Sequence, residues 1–497
     1  MLSCHCNLYF CGVRKMKQLP KYEQVTIESY AAEGKCIGRV EGKVIFVENV
    51  VPGDVVTVQL TKQKKEWAEG FAKEFHSYSA TRTAPICQHF GVCGGCQWQM
   101  LPYQQQLQYK QQQVVDNLTR IGKLELPPIS PIIGCVETVY YRNKMEYTFA
   151  TKRFVPHKEF TQLKLQGEEA LLAASGPAAG FHAKGIFDKI VGIEKCHLQA
   201  EPTNDIRNAV VAYAAENGLT FYDIRQHTGY IRNLIVRCTT TNEWMVNIVL
   251  AEENKPVRIA LLDYLLAKFP QITTLLYTIN AKWNDSLYDQ QPITYFGKGY
   301  ITEKLGNYYF KISPKSFFQT NSKQAETLYD ITKKMAELDG SQNVYDLYCG
   351  TGSIGIFLSD KAKQIVGVEM VEDAIVDAKE NALLNNLQHT HFYAGDVIKI
   401  CDDDFFTKHG RPDVVITDPP RAGMHEKLTE KLLEIAAPLI VYVSCNPATQ
   451  ARDLQLLSAK YAVTAVQPVD MFPHTLHIEN VVQLKLKDSL AMGYENV

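Results

Sequence analysis

The sequence predicts an α/β fold ending in a Rossmann-like, doubly wound parallel sheet, and three observations point to it. Four strand-sized apolar runs, Val344-Tyr-Asp-Leu-Tyr, Ile365-Val-Gly-Val-Glu, Asp413-Val-Val-Ile-Thr and Leu439-Ile-Val-Tyr-Val, are separated by helical segments. Continuous β-branched runs of this kind belong to strands covered on both faces. The first run leads into a glycine-rich loop that opens a helix, Gly350-Thr-Gly352-Ser-Ile-Gly355. Toward the amino end, short alternating strands are punctuated by Gly and Pro, a pattern that suits a small β-barrel. A mixed α+β region lies between the two.

A chain of 497 residues with 46% hydrophobic and 21% charged residues is long enough for two to four domains with sizeable cores. We divide it into a leader over 1–20, a barrel over 21–79, a central domain over 80–318 and the parallel-sheet domain over 319–497. The net charge of −2 excludes a uniformly basic nucleic-acid binder but not a basic stripe. The longest apolar runs are strand-sized, so no membrane span is expected. The leader has no long apolar core and no cleavage site, which argues against a signal peptide. It carries Cys4-x-Cys6-x4-Cys11, of no recognised pattern, and Met16 is a candidate second start. A cytoplasmic monomer is expected, and thirteen Cys there point to metal, catalysis or buried thiols before disulfides.

In the barrel, Val25-Thr-Ile-Glu-Ser-Tyr alternates, Gly34 and Gly38 interrupt the chain, and Pro52-Gly53-Asp54 turns it into Val55-Val-Thr-Val-Gln-Leu. Lys62, Lys64 and Lys65 with Trp67 and Phe71 set cations beside aromatics, a surface able to hold single-stranded nucleic acid. A solvated edge strand blunted by lysines has the same composition. Residues 103–113 read as a helix, within a stretch around 100–120 expected to pack on the parallel-sheet domain, and 166–180 as a surface loop. Tyr141-Arg142-Asn143-Lys144 and Tyr230-Ile-Arg232-Asn233 are candidate nucleic-acid contacts, or surface strands with snorkelling cations.

The glycine loop alone fits a dinucleotide fold as well, since Glu369 lies at the end of the next strand, where an acid binds ribose hydroxyls. Three features favour S-adenosylmethionine. Asp346 ends the first strand, where it can face a cationic cofactor. Little chain remains for a second nucleotide-binding half. Asp418-Pro-Pro follows the Asp413-Val-Val-Ile-Thr strand, where a nicotinamide enzyme has no need of it.

Ser444-Cys445-Asn446-Pro447 follows the 439–443 strand, so the thiol is presented at the ligand crevice. Thiolate addition to carbon 6 of uracil would turn carbon 5 into a nucleophile for a methyl sulfonium. A base must then remove the carbon 5 proton so that the thiolate can leave. Glu479, in His474-Thr-Leu-His477-Ile-Glu479, is the best base candidate. Cys349 is the rival thiol, but it lies inside the cofactor loop.

With these pieces in order, the chain resembles the RNA uracil-5 methyltransferases. The matching segments are Phe317-Phe-Gln319-Thr-Asn321, the Asp346-Leu-Tyr-Cys-Gly350-Thr-Gly352 loop, Asp418-Pro-Pro-Arg421-Ala-Gly423, Ser444-Cys445-Asn446-Pro447, and Phe472-Pro-His474 through Glu479. The resemblance implies Cys445 as nucleophile and Glu479 as base. It also implies S-adenosylmethionine contacts at Gln319, Tyr348, Glu369 and Asp418, with a weaker match at Ser353. Asp396 is added as a contact by its position alone, after a third strand that precedes the Asp413 run. The amino-terminal barrel resembles a TRAM domain, which implies RNA as partner.

Cys87-x5-Cys93-x2-Cys96 sits on a loop with Gly91, Gly94 and Gly95, and Cys196 is the expected fourth ligand. Four thiolates suit zinc or an iron–sulfur cluster, and spacing does not choose. The resemblance implies a [4Fe-4S] cluster, and it favours ribosomal over transfer RNA as substrate. Amino-group methylation is disfavoured because Arg421 stands where an aromatic would stack on the base. Cytosine-5 methylation and a non-catalytic RNA binder are the remaining rivals. Cys445, Glu479 and the complete cofactor loop argue against both.

Overall fold

The structure is a computed structural model, and it describes residues 19–183 and 185–487. The leader cysteines and Met16 lie outside the described residues. The chain forms two compact units, one up to Ala84 together with Met100–Pro102, the other holding Pro85–Gln99 and the chain from Tyr103 onward.

The first unit is a closed barrel of β1 (Lys21–Tyr30), β2 (Cys36–Val40), β3 (Lys43–Glu48), β4 (Val55–Gln63) and β5 (Trp67–Ser77), in the order β1-β2-β3-β5-β4. Alternation puts Val25, Ile27, Ile45, Val47, Val56 and Val58 inside. The turn at Asp54 is pinned by its carboxylate, which accepts from Val51 N at 2.8 Å, Ser79 N at 2.9 Å and the Arg82 guanidinium at 2.7 Å.

The second unit contains two seven-stranded sheets. After α1 (Tyr103–Asp116), the first sheet is built from β6 (Lys144–Ala150), β7 (Ala178–His182), β8 (Ile190–Gly192), β9 (Ile231–Cys238), β10 (Trp244–Leu250), β11 (Ile272–Ile279) and β12 (Ile293–Phe296). Its order is β12-β11-β10-β9-β6-β7-β8. The loop expected over 166–180 is instead the end of α2 (His157–Gln166), then α3 (Glu168–Ala174), and the start of β7. Neither helix buries a residue. Its Ala/Glu composition therefore reflected helix propensity on an exposed surface. Helices α4 (Thr203–Glu216) and α5 (Lys255–Lys268) contribute Ile206, Val210, Leu261 and Leu265 to the core of this sheet.

A hairpin, β13 (Ile301–Leu305) and β14 (Tyr308–Ile312), and α6 (Ser322–Met335) lead into the second sheet. Its strands are β15 (Asn343–Leu347), β16 (Gln364–Glu369), β17 (Thr390–Ala394), β18 (Val414–Thr417), β19 (Leu439–Ser444), β20 (Tyr461–Val469) and β21 (Glu479–Leu486). The order is β17-β16-β15-β18-β19-β21-β20, with the first five parallel and β21 antiparallel to both its neighbours. The connecting helices are α7 (Ser353–Leu358), α8 (Glu372–Leu384), α9 (Val397–Ile400), α10 (Asp403–His409), α11 (Glu426–Ile435) and α12 (Pro447–Leu457). Apolar residues line both faces of the sheet, in two separate cores. Val114 and Leu118, from α1 and the π-helical segment that continues it over Asn117–Ile121, belong to one of them. Strand order reverses between β15 and β18, which opens the ligand crevice at their carboxyl ends.

Candidate active site

The glycine loop leaves β15 at that crevice. Gly350 and Gly352 have φ of 53° and 75°, in the left-handed region, and a Cβ on Gly352 would stand 2.9 Å from the Phe392 ring. Only glycine fits there without displacing a core aromatic. Asp346 is fully buried and its Oδ2 accepts from Gly355 N at 2.9 Å, which ties the end of β15 to the first turn of α7. Its Oδ1 is buried without a partner. At the end of β16, Glu369 accepts from Gly350 N at 3.2 Å and from Val371 N at 3.0 Å. Asp396 caps α9 by accepting from Ile398 N at 3.0 Å. Ser353 Oγ hydrogen-bonds Tyr329 OH at 2.9 Å, and Tyr348 takes φ of 62°. Gln319 is placed by Asn143, whose Nδ2 donates to the Gln319 carbonyl at 2.8 Å.

Burial, with the charges of Asp418 and Glu369, pushes the Asp346 carboxyl up to about 7. Burial alone raises Asp418 to about 7, and burial followed by the charge of Asp418 raises Glu479 well above its usual range. Several acids in one desolvated crevice repel each other and wait for a cation. An S-adenosyl sulfonium supplies one, so the acids and the unanswered Asp346 Oδ1 fit that cofactor.

Cys445 and Glu479 come together through strand register. Ser444, the last residue of β19, pairs with Asn480 of β21, so the next residue of β19's path lies at the level of the first residue of β21. Burial pushes the Cys445 thiol up to about 11. The charges of Glu479 and Asp418 raise it further, and a hydrogen bond and positive charge from Arg421 oppose them. Arg421 also hydrogen-bonds the His477 ring. That ring is held down to about 4, by burial first and then by the cations Arg421, Arg142 and Lys110. Arg421 thus reaches both the thiol and the segment leading to Glu479. Cys349, the rival thiol, is buried and pushed far up by desolvation and by Asp346 and Glu369.

One expected nucleic-acid contact is corrected, and the other is narrowed to the half-buried Arg142 and Lys144. Tyr230, Ile231, Arg232 and Asn233 are all buried. Arg232 donates to Asn280 O at 2.7 Å, Asn284 O at 2.8 Å and Asp285 Oδ1 at 2.8 Å, so its cation organises a loop and does not face solvent. Tyr141 is buried too, and Asn143 is spent on Gln319 and Ser322. Arg142 lies against the Phe472 ring, 5.7 Å from its centroid. The sequence reading missed Lys110 and Asp470. They form an ion pair at 2.6 Å with both side chains fully buried, and nothing in the Gln-rich pattern of α1 marks Lys110 as interior.

Cys87, Cys93, Cys96 and Cys196 neighbour one another closely enough that Cys93, Cys96 and Cys196 each feel the charge of at least one of the others. Burial raises Cys93 to about 11 and Cys96 to about 12, and raises Cys196 as well. The Gly95 backbone, the Gln99 side chain and the Leu198 backbone lie near these three sulfurs in turn and oppose the rise. Among the described residues, however, no group of three or more His, Cys, Asp or Glu side chains converges as the ligands of one metal ion would.

Fold and site together define a methyltransferase of the S-adenosylmethionine class that carries an RNA-binding barrel. Residues 290–487 match the family model described as tRNA (Uracil-5-)-methyltransferase, and residues 19–73 match the TRAM domain. An "Uncharacterized RNA methyltransferase" of Bacteroides thetaiotaomicron is 51% identical over 461 residues, covering 92% of this chain and 100% of the relative. One of Porphyromonas gingivalis is 47% identical, covering 92% and 98%. The crystal structure of Pyrococcus abyssi tRNA (uracil-54, C5)-methyltransferase in complex with S-adenosyl-L-homocysteine superposes with a TM-score of 0.70 at 26% identity, covering 93% of this chain and all of that one. The chain belongs to the RNA uracil-5 methyltransferase family, with a TRAM domain at its amino-terminal side.

Proposed function

We propose that the chain methylates carbon 5 of one specific uridine in RNA through a transient bond from Cys445 Sγ to carbon 6, with Glu479 as the base. The observation that carries this reading is the β19–β21 register, which sets a thiol and a carboxylate side by side at the cofactor end of the sheet. S-adenosylmethionine, when bound, supplies the electrophilic methyl group. Gln319, Tyr348, Ser353, Glu369, Asp396 and Asp418 are the residues we assign to hold it. Arg421 stabilises the Cys445 thiolate, and the target base must leave its stack to reach it. Glu479, held above its usual range in the free protein, becomes a competent base once cationic charge in the crevice favours its ionised form.

Ribosomal RNA is our preferred substrate, on the resemblance of the barrel and thiol loop to the ribosomal branch. The Pyrococcus abyssi enzyme acts on tRNA uracil-54, and transfer RNA is the second reading. We further propose that Cys87, Cys93, Cys96 and Cys196 hold a [4Fe-4S] cluster. A single zinc ion would draw four sulfurs to within about 3.8 Å of each other, whereas a polynuclear group spreads its ligands. The spacing of the four thiols suits either, and the resemblance to the ribosomal branch is what favours the cluster. Methyl transfer to an enolate needs no electron, so the group would brace the central region of the chain.

The test uses purified protein, labelled S-adenosylmethionine and 5-fluorouridine-substituted ribosomal RNA. Fluorine cannot leave as a proton does, so wild-type protein should give an adduct that survives denaturation, and Cys445→Ala should give none. No adduct with cofactor binding intact would reject the uracil mechanism on that RNA. The same assay with transfer RNA decides between the two substrates.

A further inference from the structure

Residues 470–474 form an irregular segment, yet each of its five carbonyls takes a hydrogen bond from a side chain or backbone elsewhere in the chain. Asp470 O accepts from Cys135 Sγ at 3.0 Å and Met471 O from Asn321 Nδ2 at 2.9 Å. Phe472 O accepts from Lys110 Nζ at 3.2 Å, and Pro473 O from Tyr141 OH at 3.0 Å. His474 O accepts from Gln97 N at 2.9 Å and Trp98 N at 3.1 Å, on the chain immediately after Cys96. Loop carbonyls ordinarily turn to water, so a segment answered this completely by protein is fixed at every residue.

Side chains reinforce the hold. The Asp470 carboxylate takes Lys110 Nζ at 2.6 Å on one oxygen and Tyr103 OH at 2.9 Å on the other. Gln106 Oε1 accepts from His474 N at 2.9 Å, and His474 has φ of 65°, a left-handed conformation that side-chain-bearing residues seldom adopt unaided. Five residues further on stands Glu479. Between them His477 reaches Arg421, whose positive charge bears on the Cys445 thiol.

We propose that Lys110 and Tyr141 are positioning residues for proton removal. They clamp residues 470–474 so that Glu479 enters β21 aimed at carbon 5 of the methylated adduct. The contacts of Gln97 and Trp98 bring the thiol loop into the same clamp. The inference rests on Glu479 being the base. In the step concerned, Glu479 takes the carbon 5 proton, the freed electron pair restores the carbon 5–carbon 6 double bond, and the carbon 6–sulfur bond breaks to return the Cys445 thiolate. A loosened clamp therefore leaves adduct formation and methyl transfer largely intact and slows release.

The experiment compares wild-type protein with Tyr141→Phe, Lys110→Met and Glu479→Gln on ordinary, unfluorinated substrate RNA with labelled S-adenosylmethionine. The readouts are covalent RNA–protein complex on a denaturing gel, its rate of decay, and thermal unfolding with and without S-adenosylhomocysteine. Tyr141→Phe removes one hydroxyl and keeps the ring, so it decides the matter even if Lys110→Met, which strands a buried carboxylate, fails to fold. The expected result is methylated adduct accumulating in Glu479→Gln and in Tyr141→Phe, with decay in the latter slowed roughly tenfold to a hundredfold. If Glu479→Gln accumulates adduct while Tyr141→Phe turns over like wild type, the clamp inference falls and the base assignment stands. If Glu479→Gln accumulates none, the base assignment falls and takes the clamp with it. A uniform loss of rate in Tyr141→Phe without trapped adduct would mark a merely structural role and overturn the proposal.

Discussion

Ser444 and Asn480 pair across the antiparallel edge of an otherwise parallel sheet, and this one register sets Cys445 beside Glu479. In a wholly parallel sheet a residue at the start of a strand lies at the far end from the crevice. Reversing β21 brings its first residue to the carboxyl ends of β18 and β19, where Asp418, Arg421 and Cys445 already stand. The proposed nucleophile and base thus sit at neighbouring ends of two strands joined by backbone hydrogen bonds, which suits chemistry that tolerates little misplacement.

The Cys445 thiol, pushed to about 11, is almost wholly protonated at neutral pH. Four pH units below its titration, the thiolate is about one part in ten thousand. Arg421→Ala removes the opposing cation and should move the pH midpoint of iodoacetamide alkylation at Cys445 upward. Glu479→Gln removes a neighbouring anion and should move it downward. Alkylation rates measured against pH on the three proteins check both signs, and shifts in the same direction would refute this electrostatic account.

Asp346 and Asp418 both titrate at about 7, far above the usual carboxylate range. Their pKa is raised on folding, so their contribution to stability is full below about 4 and is lost as pH rises through about 7. A bound cation reverses the preference by favouring the ionised forms. Affinity for S-adenosylmethionine should therefore fall as pH drops below 7, by up to about tenfold per pH unit for each carboxylate that must give up its proton. Calorimetry at pH 6 and 8 in buffers of differing ionisation enthalpy should show proton release at the lower pH. An affinity flat over this window would mean that the two acids stay ionised without the cofactor.

The sheet was legible because buried parallel strands leave continuous β-branched runs. The cofactor loop was legible because its backbone geometry demands glycine at Gly350 and Gly352. What sequence could not reveal was burial of charge. Arg232 looked like a surface cation in a strand, yet it is interior because four acceptors around one loop compensate its desolvation. Lys110 sits among glutamines, and its partner Asp470 is 360 residues away, so no local pattern announces either. The stretch 166–180 read as a loop because its small and acidic residues lack an apolar face. Two helices that bury nothing need none.

On the barrel, Lys62 lies over the Trp67 ring at 4.7 Å and Phe71 is 43% exposed. Stacking of one base on an exposed aromatic is worth about 1–3 kcal/mol. Phe71→Ala should weaken binding of single-stranded substrate RNA by roughly fivefold to a hundredfold, while leaving S-adenosylhomocysteine affinity unchanged. Lys62→Ala should reduce the dependence of affinity on salt. Filter binding across a salt series measures both, and unchanged RNA affinity in Phe71→Ala would return this surface to an ordinary solvated edge.

The thiol loop gives the last prediction. Protein purified without oxygen should contain iron and acid-labile sulfide and absorb visible light, and Cys96→Ala should lose all three. Because Gln97 and Trp98 continue directly from Cys96 to the His474 carbonyl, loss of the iron should speed amide exchange over residues 85–99 and also over 470–479. Exchange confined to the thiol loop would show that the two segments are not coupled. Zinc in place of iron would reject the cluster. Iron loss with folding and RNA affinity both unchanged would remove the bracing role proposed for it. These outcomes separate because metal content identifies the bound ion, whereas amide exchange reports whether the thiol loop and residues 470–479 are coupled through the Gln97 and Trp98 contacts.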